Sequence, residues 1–365
     1  MTAADFEAAG LLDPVAPDAA ERLALLEWLV ERGVTLEQMR RAAAERSLTA
    51  LAADLGVRPG RRFTARDVAA RHALPVDKVL SLSLATGLPA ASADDPIYSD
   101  EDAATFGAFH VASELFGEGS TRRFVRVIGS SLARIAEAAV TLFQVNVEGP
   151  LRASGGTDLD LARENLRAIE SLDQVDAMIR TLFKGHMERA IHRLRDARPR
   201  VSVDTATLAI GFVDLVGYTT LSSRMSPRAL GEVVELFEET AHDVATARGG
   251  RVVKVIGDEV MFVTPDATAA CDIALTLVER FAGDPNVTPR GGLARGELLL
   301  RGGDYYGPIV NLASRIAQLA VPNELLVTRE IADQADARTL RFEAAGKRML
   351  KGFEDPVTLL TVERA

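Results

Sequence analysis

The apolar residues change period near Pro199, and that change limits what this chain can fold into. Before it, apolar side chains recur at the three-to-four-residue spacing of amphipathic helices. After it, short β-rich runs alternate with helical ones. A chain of 365 residues with this pattern reads as two domains, an all-α domain followed by an α/β (α+β) domain. We place the boundary near residue 200, giving domains 1–200 and 201–365.

In the first half, Ala19–Glu31 carries Leu23, Leu26, Leu29 and Val30 at helical spacing, together with Trp28. Thr64–Ala70 and Val76–Thr86 read as short helices separated by Leu74-Pro75. Ser99 reads as an N-cap, with Asp100, Glu101 and Asp102 in the first turn, where the helix dipole favours them. A long run over about 121–147 is expected to stop at Gly149-Pro150. A second runs from the capping residue Thr157 to about Arg198 and forms the connection between the domains. In the second half, strands are expected at 201–203, 207–213, 251–256, 259–263, 291–300, 324–328, 340–343 and 357–362. Helices are expected at 228–247, 266–281 and 308–319.

Lys and Arg total 42 against 52 Asp and Glu, a net charge of −10, so the chain is a poor general ligand for nucleic acid or anionic membrane. Cys271 is the single cysteine, which excludes an internal disulfide or a cysteine metal cluster. The N-terminus lacks the pattern of a signal peptide, and no apolar run is long enough to span a bilayer. A cytoplasmic protein without a transmembrane segment is the expectation. His72, His110, His186, His192 and His242 show no zinc-ligand spacing.

Three segments carry chemistry. Phe212-Val213-Asp214-Leu215-Val216-Gly217 runs an apolar strand into a carboxylate and then into a glycine turn, where Gly217, Tyr218 and Thr219 could face a phosphate. Lys254-Val255-Ile256-Gly257-Asp258-Glu259 places a second carboxylate in a hairpin turn. Two carboxylates on neighbouring loop tips make an oxygen-donor site for Mg²⁺ or Mn²⁺. The third segment, Gly303 to Arg315, holds Asp304 and then a helix starting at Pro308, on which Asn311 and Arg315 share one face.

Together, in this order, these segments and Leu350-Lys351-Gly352-Phe353 resemble the class III nucleotidyl cyclase catalytic domain, over roughly residues 204–362. The resemblance implies a ferredoxin-like fold working as a homodimer, with each subunit contributing half of each of two sites. It implies that Asp214 and Asp258, with the Leu215 carbonyl, hold two metal ions per site. Lys254 and Asp304 would select adenine, Asn311 would orient the ribose, Arg315 would stabilise the transition state and Lys351 would bind the triphosphate. Guanylyl cyclases of this family hold Glu and Cys at the base-selecting pair; Lys and Asp here point to ATP.

The arrangement as a whole resembles the soluble two-domain cyclases of mycobacteria and other actinobacteria, which implies a regulatory first half. Its Leu- and Ala-rich helices fit either a plain core or a pocket for a fatty acid or other lipid. His186 and His192, on the connecting helix, are candidate pH sensors. Two other readings stand beside this one: an inactive cyclase-like dimerisation module, and a helix-turn-helix DNA reader at Arg62–Thr86. The second is weakened by an apolar recognition helix in which Lys78 is the only base.

Overall fold

The computed structural model describes residues 1–196, 204–216, 226–283 and 287–365. It divides into two compact units, Met1–Lys184 and Gly185–Ala365. The strand expected at 201–203 lies outside the described residues.

The described part of the first unit is helical. Its helices are α1 (Ala3–Ala8), α2 (Ala19–Glu31), α3 (Leu36–Ala44), α4 (Leu51–Val57), α5 (Ala65–His72), α6 (Val76–Thr86), α7 (Asp100–Phe116), α8 (Glu118–Phe143), α9 (Gly149–Ala153) and α10 (Asp158–Glu170), followed by the start of α11 (Leu172–Asp196). Thr64, Ser99 and Thr157 each close a capping box with the aspartate three residues on, which satisfies free N–H groups at the helix start. Two apolar cores result. Phe6, Leu25, Leu26, Leu29 and Met39 form one; Val68, Val79, Leu82, Phe106 and Val125 form the other.

Two expectations need correction. Gly149-Pro150 does not end the long helix. The chain passes through a π-helical turn, Gln144–Glu148, and continues as α9 with Pro150 in its first turn, where a missing N–H leaves no bond unmade. The run beginning at Thr157 is also not one helix. It breaks at Ser171, whose hydroxyl donates to the Ala168 carbonyl at 2.7 Å and so competes with the helical ladder.

The second unit is built on a mixed sheet. Its strands are β1 (Thr205–Val216), β2 (Arg251–Ile256), β3 (Glu259–Thr264), β4 (Thr288–Arg301), β5 (Asp304–Tyr306), β6 (Leu325–Thr328), β7 (Leu340–Arg348) and β8 (Val357–Arg364). The order is β2-β3-β1-β4-β6-β8-β7, with β5 added to β4; β4 and β6 are parallel and the other paired strands antiparallel. The helices are α12 (Pro227–Ala247), α13 (Ala267–Phe281), α14 (Pro308–Leu319) and the short α15 (Arg329–Ala332). Phe237 of α12 and Ile273 and Leu277 of α13 pack on one sheet face, with Phe262. Ala313 and Ala317 of α14 pack on the other, with Ile210, Phe212 and Met261.

Gly292 on β4 is what lets α14 approach the sheet. A Cβ there would collide with the Ala317 backbone nitrogen and lie 2.7 Å from the Ala313 carbonyl. Gly292→Ala is therefore expected to destabilise the second unit by about 1–3 kcal/mol, the cost of overpacking against backbone. Gly231→Ala on α12, where a Cβ meets nothing within 4 Å, should instead gain roughly 0.5–1 kcal/mol. Urea unfolding of both variants checks the contrast, and equal midpoints would refute it.

Candidate active site

β1 sets the first part of the site. Leu208, Ile210 and Phe212 belong to the core under α14, whereas Ala209, Val213 and Leu215 belong to the core under α12 and α13. By this two-residue alternation Asp214 continues the row on the α14 side, past its last apolar member. Its cross-strand neighbours are Glu259 on β3 and Arg290 on β4.

Arg290 donates to Asp214 Oδ2 through Nε at 3.0 Å and Nη2 at 2.8 Å. Its Nη1 donates to the Gln318 carbonyl at 3.0 Å and the Ala320 carbonyl at 3.4 Å, at the C-terminal end of α14. One guanidinium thus ties the β1 carboxylate to the helix that bears Asn311 and Arg315. Sequence reasoning missed Arg290.

Asp258 lies in the turn between β2 and β3, made possible by Gly257 at φ 67°. Its carbonyl accepts the Leu215 N–H at 3.2 Å, which pins the turn to the end of β1. Burial, and then the Asp214 charge, raise the Asp258 carboxyl above its ordinary value. Glu259 is pushed up to about 7 by burial and the charges of both aspartates, with Arg290 acting in the opposite direction. Gly217, Tyr218 and Thr219 lie outside the described residues.

The other site residues gather elsewhere in the unit. Lys254 Nζ on β2 meets Asp304 Oδ2, at the start of β5, at 2.6 Å. Asn311 and Arg315 stand one turn apart on α14, which begins at Pro308. Arg315 Nη1 donates to Gln318 Oε1 at 2.8 Å, a neutral amide rather than a surface carboxylate. Lys351 lies in the turn between β7 and β8. Lys254, Asn311, Arg315 and Lys351 line one cavity of about 810 Å³, together with Ser314 and Phe353. The aspartate pair is absent from the described lining of that cavity.

Do the residues present suit a divalent ion? Among the described residues no three His, Cys, Asp or Glu side chains form a ready cage. Mg²⁺ does not require one, since it is commonly held by one or two carboxylates with waters and substrate phosphates. Burial first, and then the Asp214 charge, disfavour the ionised Asp258 carboxylate, and a bound cation would offset both. Both Arg290 contacts fall on Oδ2 of Asp214, so the guanidinium engages one of its two oxygens. The donor set fits.

Comparison with known proteins gives this fold and site a class. Residues 201–363 match the family model described as the adenylate and guanylate cyclase catalytic domain. Residues 4–190 match the adenylate cyclase regulatory domain. An adenylate cyclase of Streptomyces coelicolor is 32% identical, over 89% of this chain and 80% of its own. An uncharacterised protein of Mycobacterium tuberculosis is 33% identical, over 96% of this chain and 92% of its own. A pH-sensitive adenylate cyclase of Mycobacterium tuberculosis is 29% identical, over 94% of this chain and 88% of its own. The chain belongs to the adenylate cyclase family, as an enzyme with a regulatory domain ahead of a class III catalytic domain.

Proposed function

We propose that the protein converts ATP to 3′,5′-cyclic AMP and pyrophosphate at two composite sites of a homodimer. The observation that carries this reading is the division of site residues within one chain. Asp214 and Asp258 form one half-site; Lys254, Asn311, Arg315 and Lys351 line a separate cavity. Each half lacks what the other supplies, and a two-fold partner would bring the halves together twice. Exposed apolar side chains on α11 (Met178, Leu182, Met187 and Ile191) are further support for a dimer.

In this reading the ribose 3′-oxygen attacks the α-phosphorus, forming a P–O bond as the bond to the pyrophosphate oxygen breaks. Asp214 and Asp258, with the Leu215 carbonyl, would hold two Mg²⁺ or Mn²⁺ ions; bound there, the ions would lower the hydroxyl pKa and neutralise phosphate charge. Asn311 orients the ribose, Lys351 binds the triphosphate, and Arg315 meets the charge that develops on the α-phosphate. Lys254 donates to an adenine ring nitrogen, while Asp304 accepts from the N6 amino group. Purified protein should therefore form cyclic AMP from ATP with Mg²⁺ or Mn²⁺ and turn over GTP poorly. The Lys254→Glu, Asp304→Cys double variant should move the preference toward GTP. No cyclic AMP with either metal would overturn the enzymatic reading, and a GTP preference in the native chain would overturn the base assignment.

The reading extends to regulation of catalysis by the first unit through α11. His186 and His192 are exposed on that helix, among Lys184, Glu188, Arg189, Arg193 and Arg195. Histidine titrates between about pH 5 and 8, so both remain candidate sensors. Cyclase activity of the full chain against pH, with and without His186→Gln and His192→Gln together, tests them; superimposable profiles would remove both. A fatty acid or other lipid is the second regulatory candidate. A cavity of about 380 Å³ in the first unit favours it, lined by Ile97, Phe106, Phe109, Ile128 and Leu132. The lining also holds an Arg58–Asp102 ion pair and the buried, unpartnered Tyr98 hydroxyl. Native mass spectrometry after incubation with a long-chain fatty acid would detect such a ligand, and binding unaffected by Phe106→Trp would place it elsewhere.

A further inference from the structure

A second cavity of the catalytic unit, about 290 Å³, lies beside β5, where the last turns of α11 meet the sheet. Three arginines line it: Arg193 from α11, Arg251 from β2 and Arg301 from the end of β4. The rest of the lining includes Leu208, Leu300 and the Tyr305 ring. Its one carboxylate, Asp304, is already engaged: Lys254 donates to Oδ2 at 2.6 Å and the Tyr305 N–H to Oδ1 at 2.8 Å.

The arginines are short of acceptors. Arg251 Nη2 donates to the Gly303 carbonyl at 2.9 Å, and its guanidinium lies 5.5 Å from the Tyr305 ring centre. Its Nε is buried with no hydrogen-bond partner. Among the described residues Arg193 has no carboxylate partner, and burial followed by the Arg251 charge lowers its pKa. Crowded carboxylates relieve repulsion by taking up protons. Guanidinium groups stay charged at any ordinary pH, so this pair has no such escape. A counter-charge between them would satisfy both, and a buried donor without an acceptor, as at Arg251 Nε, is costly.

We propose that this cavity is an anion site, separate from the nucleotide cavity, that takes a small organic oxyanion between Arg193 and Arg251 with its apolar body against Leu208 and Leu300. A carboxylate and a phosphate ester share that chemistry. The wall between the two cavities contains the base-selecting pair, because Lys254 lines the nucleotide cavity, Asp304 lines the anion cavity and Tyr305 lines both. Occupancy therefore bears on the KM for ATP more than on kcat.

The test is calorimetric titration of the full-length protein with inorganic phosphate and, separately, with butyrate, at constant ionic strength. A non-hydrolysable ATP analogue with Mn²⁺ fills the nucleotide cavity throughout. Saturable binding of at least one probe is expected, weakened about tenfold or more by Arg193→Met and by Arg251→Met and partly kept by Arg251→Lys, which preserves charge but loses the planar fork. Stronger phosphate binding identifies a phosphate ester, and stronger butyrate binding a carboxylate. Absence of saturable binding, or isotherms unchanged in both methionine variants while their melting curves match the native protein, would overturn the proposal.

Discussion

Replacing Arg315 by alanine is expected to lower kcat by about 10²–10³ while leaving the KM for ATP nearly unchanged. A loss of that size accompanies removal of one preorganised donor from a charge that develops in the transition state. In the proposed reading the KM should hold because Lys351 still binds the triphosphate and Asn311 the ribose, both lining the same cavity as Arg315, which is exposed on α14. Arg315→Lys should recover only part of the loss, since an ammonium cannot reproduce the planar fork. Lys254→Ala should show the converse pattern, a raised KM with a smaller effect on kcat, because base contacts are made in the ground state as well. Steady-state kinetics on the variants separates the two roles. Equal KM increases in both would mean that Arg315 binds substrate rather than stabilising the transition state.

The local elements that carry the candidate residues are legible in the sequence, and particular residues show why. The run into Asp214 is continuously apolar because β1 is buried on both faces between α14 and the α12/α13 layer. The Gly257-Asp258 turn announces itself because few other residues tolerate its backbone. The helix at Pro308–Leu319 is bounded by a proline that fits its first turn. Each of these signals is local.

Arg290 was not legible. Its partner Asp214 is 76 positions away, and the pairing depends on the register of β1 against β4, which no short window of sequence contains. Glu259 was read only as a neighbour of Asp258. Its position opposite Asp214 follows from the register of β3. Gly149-Pro150 failed as a stop signal for a different reason: a single π turn absorbs the missing N–H, and propensity rules that assume an α ladder do not anticipate it. Helices α3 and α4 are short, and a few turns give the helical period little room to declare itself.

Mixing two inactive variants is expected to restore activity if the half-sites belong to different subunits. One variant should lack a carboxylate of the proposed metal site, Asp214, and the other Arg315. Asp214→Asn suits the first better than Asp214→Ala, because Arg290 would otherwise be left as a partly buried cation without its acceptor. The amide oxygen can still accept from Arg290, while the charge needed for a cation is gone. In an Asp214→Asn/Arg315→Ala heterodimer, one site combines both altered residues and the other combines none. Each heterodimer keeps one intact site of two, so the purified heterodimer should approach about one half of native activity, and an unpurified random mixture, half of whose dimers are heterodimers, about one quarter. Each variant alone should stay near its own residual rate at any concentration. The measurement is cyclic AMP formation after co-expression with two different affinity tags and sequential purification of the doubly tagged species. Purified heterodimers no more active than the parent variants would mean that each chain completes its own site.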